Sequence, residues 1–174
     1  MKQDLPQWPD QLFARLKDAR IAQVAYVPDA GHTRLIDACR ADPALATVSL
    51  TSEQEGVAML AGAWLGGQRG VLLMQSSGVG NCVNMLSLTR ECRFPLVMLV
   101  TMRGEWGEFN PWQLPMGQST ARILEDAGVV VQRAESAGEV AEIFYAGAQM
   151  AFSSNRAIAI LIGQRIIGFK DWSK

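Results

Sequence analysis

Glu53, His32, Asp29, Arg103 and the stretch Gln75-Ser76-Ser77-Gly78-Val79-Gly80-Asn81 are the residues whose types and spacing could do chemistry. A carboxyl exchanges a proton usefully where a dry surrounding disfavours its charged form. Glu53 opens a segment of small and apolar residues, Gly56-Val57-Ala58-Met59-Leu60-Ala61-Gly62-Ala63, of the kind that lets another backbone come close. The plainer alternative is an acidic residue complementing the dipole at a helix start. The glycines of Ser76–Asn81 would let backbone N–H groups face an anion where a strand turns into a helix, or would only relieve a tight turn. The stretch does not satisfy GxGxxG, and GxxxxGK[ST] is absent from the chain, which weakens the nucleotide readings. Ser76 or Ser77 as a nucleophile would lack both the GxSxG elbow and any base other than His32. His32 itself is a proton shuttle, a substrate-orienting group or a packed histidine. Arg103 is a cation for an anionic substrate, with an ion pair to Glu105 or Glu108 as the alternative.

These residues need elements to bring them together. Apolar runs at Ile21–Val27, Thr47–Leu50, Gly70–Gln75, Leu96–Met102, Val129–Gln132 and Ala157–Ile162 read as buried strands. Helical periodicity falls between them, over Pro9–Ala19, His32–Ala41, Gln54–Leu65, Gly80–Arg93, Gly117–Ala127 and Ala137–Phe152. Strict alternation predicts an α/β fold: an open, mostly parallel six-stranded sheet with helices on both faces. Ligands of such sheets lie beyond the carboxyl ends of the strands, where Asp29, Glu53, Gln75-Ser76 and Arg103 each follow an apolar run. The longest irregular stretch, Arg103–Pro115, carries Trp106, Phe109 and Trp112, which would close over a substrate, dock a partner or anchor the loop.

The chain of 174 residues is expected to be a single domain over 1–174. A net charge of -1 implies no nucleic-acid face, and no apolar run is long enough for a membrane span or a signal peptide. Cys39, Cys82 and Cys92 lack CxxC spacing and read as reduced core thiols of a cytoplasmic protein. One histidine cannot make a histidine metal cluster, and no metal ligand is expected in this chain.

In combination, EQEGVAMLAGAWLGG with Gly62 nine positions after Glu53, then LLMQSSGVGN, RGEW and LPMGQSTARILEDAGV, are specific. The chain resembles the pyrimidine-binding domain of thiamine diphosphate enzymes, most nearly the sulfopyruvate decarboxylase alpha subunits and the phosphonopyruvate decarboxylases. The resemblance covers about Val24 to Gly163. It implies a cofactor held between two domains, one supplying the glutamate and the other, usually marked by GDG, holding the diphosphate through Mg2+. No GDG occurs here. The resemblance therefore implies half of a site, completed by a beta subunit in a hetero-oligomer with at least two copies of each chain.

Carried over by that resemblance, Glu53 would hydrogen-bond N1′ of the aminopyrimidine and promote the imino tautomer that removes the C2 proton. Gln75, Ser76, Gly78, Gly80 and Asn81 would approach the cofactor, while Asp29 and Arg103 would meet a small 2-oxo acid and His32 would assist catalysis. Glu55 is a second acidic residue, two positions off the required spacing. The implied activity is decarboxylation of a 2-oxo acid. A carboligase or lyase on another oxo acid, and a non-catalytic regulatory subunit of the same fold, are the alternatives.

Overall fold

The computed structural model describes residues 7–168. Six strands, β1 (Ile21–Tyr26), β2 (Ala46–Ser49), β3 (Arg69–Gln75), β4 (Leu96–Thr101), β5 (Val130–Ala134) and β6 (Ala157–Ile162), form one sheet in the order β2-β1-β3-β4-β6-β5. All five neighbouring pairs are parallel, so every carboxyl end lies on the same edge. The expected open sheet is thus parallel throughout. The chain leaves β1 toward β2 on one side and reaches β3 on the other, which opens a crevice between the ends of β1 and β3.

Alternation along the inner strands supplies both cores. Val71, Leu73, Val97, Leu99, Ile158 and Ile160 face α1 (Trp8–Asp18), α2 (Thr33–Ala41) and α7 (Val140–Ser154). Leu72, Met74, Met98, Val100, Ala159 and Leu161 face α3 (Glu53–Leu65), α4 (Ser76–Cys82) and α6 (Leu114–Asp126). Two short helices, α5 (Ser87–Glu91) and α8 (Gln164–Ile167), complete the set.

Several expectations need correction. β2 and β5 are not fully buried strands, because they form the two edges of the sheet. Ser76–Asn81 is not a turn before a helix: α4 begins at Ser76 itself, directly from β3. The single helix expected over 80–93 is broken between α4 and α5. There Asn84 O accepts hydrogen bonds from both the N–H and the hydroxyl of Ser87, a side-chain competition that favours turns over helix. α6 starts three residues earlier than expected because Pro115 falls in its first turn, where no intrahelical N–H is needed. α7 starts later, at Val140, because the Glu139 carboxylate accepts the N–H groups of Glu135 and Ser136 and shapes a turn before it. Cys39 and Cys82 are core thiols as expected, whereas Cys92, at the end of α5, is exposed.

Candidate functional site

Glu53 is the first residue of α3, with Ser52 as its N-cap, and its side chain turns inward between α3 and α4. It is 7% exposed, an unusual place for a carboxyl. Its Oε2 accepts a hydrogen bond from Asn81 Nδ2 at 2.8 Å. Gly78 explains how α4 approaches so near: a Cβ there would collide with the Glu53 carboxyl group. Glu55 turns the other way, its Oε2 accepting from Thr51 N at 3.0 Å, and so closes the start of the helix. Of the small residues in α3, Gly56 is covered, since a Cβ would crowd Leu72 and Leu50. Ala58 and Gly62 are exposed, and nothing lies within 4 Å of the place a Gly62 Cβ would take.

The crevice between β1 and β3 is bridged by polar side chains. Gln75 Nε2 donates to Asp29 Oδ1 at 3.2 Å, and Thr101 Oγ1 donates to Asp29 Oδ2 at 2.6 Å. Ser77 Oγ donates in turn to Gln75 Oε1 at 2.8 Å. Three strand ends are therefore cross-linked around one carboxylate. Ser76 is buried, and its hydroxyl accepts the N–H of Arg103 at 3.1 Å, which fastens the end of β4 to α4. Gly80 remains open on α4, with Met116 of α6 in ordinary contact range.

His32 is fully buried just after the turn that carries Asp29. Its Nε2 lies 3.2 Å from Leu99 O, and Nδ1 has no partner among the described residues. Burial pushes the imidazole below its ordinary value of 6.5, against the opposing pull of Asp29 and the carbonyls of Leu99 and Met74. A neutral ring results.

Arg103 follows β4 and is gripped by Glu108 through two bonds, Nε to Oε2 at 2.6 Å and Nη2 to Oε1 at 2.7 Å. This is not a surface pair: the two side chains are 14% and 1% exposed. Glu108 also accepts from Gly104 N, Asn110 N and Gln164 Nε2. The Arg103 guanidinium, with the N–H groups of Asn110 and Gly104, holds its carboxyl down at about 2, and the pair raises Arg103 in return. Glu105 pairs instead with Arg133, again through two bonds. Gln164 Oε1 takes the N–H groups of Glu105 and Trp106, so the loop after β4 is pinned to the end of β6. Gln118 donates to Gly104 O, and Gly117 lets α6 press against the Arg103 carbonyl, which a Cβ would overlap. Trp106, Phe109 and Trp112 remain largely exposed on this anchored loop.

Sequence reasoning missed Thr101 and Gln164 as members of the site, and offered Glu108 only as one of two ion-pair partners for Arg103. The other residues were found by inspecting the positions just after each strand, and the same rule reaches Gln164 when it is extended to β6. Among the described residues, no group of three or more His, Cys, Asp or Glu is arranged to hold a metal ion, and no helix is long and apolar enough to cross a membrane.

An open parallel sheet with a buried glutamate beside its switch-point crevice has the arrangement of a ligand-binding α/β domain. Residues 8–110 match the family described as thiamine pyrophosphate enzyme, N-terminal TPP binding domain, and the chain belongs to that family. It is 34% identical over 154 residues to the sulfopyruvate decarboxylase subunit alpha of Methanothermobacter thermautotrophicus, covering 88% of this chain and 93% of that one. It is 40% identical over 116 residues to the phosphonopyruvate decarboxylase of Streptomyces viridochromogenes, covering 66% of this chain but only 29% of that protein. Its fold is shared, at 13% identity and a TM-score of 0.77, with a 2-oxoglutarate:ferredoxin oxidoreductase from Magnetococcus marinus, 93% of this chain matching 29% of that one.

Proposed function

We propose that this chain is the alpha subunit of a two-chain, thiamine diphosphate-dependent 2-oxo acid decarboxylase of the sulfopyruvate or phosphonopyruvate type. The observation that carries the reading is the Glu53 carboxyl, nearly dry, with one oxygen fixed by Asn81 and no Cβ on Gly78 to crowd it. Oε1 carries no hydrogen bond among the described residues, so it is the oxygen left to face the pyrimidine. The residues fit the cofactor on that ground. When bound, thiamine diphosphate supplies a ring that takes up the electron pair released as carbon dioxide leaves.

This chain's part is to hold and move a proton. Glu53 Oε1 would exchange a proton with N1′ of the pyrimidine, and Asn81 keeps the carboxyl group from rotating away. The exposed backbone at Gly80 and the Gln75–Ser77 pair line the approach. Asp29 and Arg103 face the 2-oxo acid. Arg103 offers Nη1, which bears no hydrogen bond among the described residues, to the second acidic group of the substrate. His32, buried beneath, acts as a positioning residue for the strand ends. The diphosphate and its Mg2+ belong to a beta subunit that packs on the side of α3 left bare at Ala58, Gly62 and Leu65, the last 87% exposed. The assembly is a cytoplasmic hetero-oligomer with at least two copies of each chain.

The test is to mix this chain with its diphosphate-binding partner and measure turnover of sulfopyruvate and phosphonopyruvate. Glu53→Gln keeps the shape and removes the proton relay. Turnover should fall roughly 10²–10⁴-fold while assembly persists. Unchanged turnover in the assembled variant would defeat the proposal.

A further inference from the structure

At the amino ends of β4, β5 and β6, opposite the edge that carries Glu53, the chain forms a cleft of 690 Å³. Arg90, Arg93 and Arg156 line it, together with Asn155 and Gly128, and no acidic residue does. In a chain with 16 Lys and Arg against 17 Asp and Glu, three arginines on one wall that holds no carboxylate are an uneven allocation. None of the three guanidinium groups makes an ion pair among the described residues. The neighbouring cleft that Arg90 also borders differs, since Glu91 and Asp126 line it.

The backbone makes a second, independent observation. Arg93 has φ +54, a left-handed conformation that glycine adopts with least strain, whereas Asn155, at φ +52, is the ordinary left-handed cap of α7 with its N–H on Ala151 O. These are two of only three such non-glycine residues in the described chain. Arg90 and Arg93 flank the end of α5, and Arg156 follows α7, so the helix carbonyls favour cations there. That attraction requires neither a cavity nor an arginine at a position better suited to glycine.

We propose that this cleft is a binding site for a small polyanion of the oligophosphate class, with Arg90, Arg93 and Arg156 as the three cationic contacts. Planar guanidinium forks suit phosphate oxygens through paired hydrogen bonds, and no carboxylate in the wall adds to the partial negative charge of the α5 and α7 carbonyl ends, which three full guanidinium charges outweigh. The cleft lies the length of β4, about 20 Å at 3.3 Å per residue, from the Glu53 edge. Its occupancy is therefore separable from cofactor binding.

The experiment titrates the full chain with inorganic pyrophosphate, following heat of binding, amide resonances and the melting temperature. Saturable binding is expected, weakening with added salt, with the largest resonance changes at Thr89, Gly128 and Asn155. Arg156→Ala should weaken it tenfold or more. Arg93→Gly separates ligand from scaffold: relief of the left-handed strain should raise the ligand-free melting temperature by about 2–4 °C, while stabilisation by pyrophosphate is lost. Arg122→Ala, on the exposed side of α6, should bind as the parent does. No saturable binding, undiminished binding in Arg93→Gly/Arg156→Ala, or equal weakening by Arg122→Ala would each overturn the proposal.

Discussion

The Glu53 carboxyl and the missing side chain of Gly78 act as one unit, because the carboxyl group occupies the space a Cβ would need. Gly78→Ala should thus displace the carboxylate from Asn81 and lower turnover of the assembled enzyme at least tenfold, measured beside an unchanged far-ultraviolet dichroism spectrum. Gly80→Ala behaves differently. Its Cβ meets only Met116 at ordinary distance, so the greater helix propensity of alanine should stabilise the chain by roughly 0.5–1 kcal/mol. If bare backbone at Gly80 admits the cofactor, the same variant loses activity, so melting and turnover move in opposite directions. Glu108 gives a pH signature. Its carboxyl is held from 4.5 down to about 2 by Arg103 and neighbouring N–H groups. A depressed carboxylate stabilises the fold fully above about 4.5 and loses that contribution as pH falls toward 2. Urea titrations between pH 5 and 2 should show a decline, at most about 3 kcal/mol of it due to this group, that is absent in Glu108→Gln.

Among the elements, α6 is the one whose position the site cannot spare. Gly117 lies on the Arg103 carbonyl, and a Cβ there meets backbone rather than the yielding end of a side chain. Gly117→Ala should cost about 1–3 kcal/mol, read as a lower urea midpoint, and should disturb Arg103 as α6 is forced outward. The existence of α6 and of the strands was legible in the sequence, because apolar spacing of three and four residues differs from a continuous Val, Ile and Leu run. Its start was not, since Pro115 reads equally as a loop end and a first helical turn. α4 was missed for a related reason: two glycines and two serines in seven residues carry little helical preference, and only packing against α3 and α6 makes that stretch helical. Arg103 is a parallel case, for both candidate carboxylates lie within five residues of it. Only the fold sends Glu105 to Arg133 and leaves Glu108 for Arg103.

For the molecule as a whole, thiol chemistry reports on the packing of both cores. Cys39 on one face of the sheet and Cys82 on the other are buried, and burial pushes each thiol up to about 12. Cys92 is exposed. A native chain should therefore react with Ellman's reagent at one thiol, Cys92, and at all three only after denaturation. Fold class, order of elements, the crevice-facing loops and family membership were carried by the sequence itself, because hydrophobic period and strand-end position are local properties that survive without coordinates. Tertiary structure alone decided which side chains meet: Asn81 with Glu53, Thr101 and Gln75 with Asp29, Gln164 with the loop after β4. Those partners are separated by 28 to 72 residues in the chain. Contacts at such separation are set by sheet order and register, which no local pattern encodes.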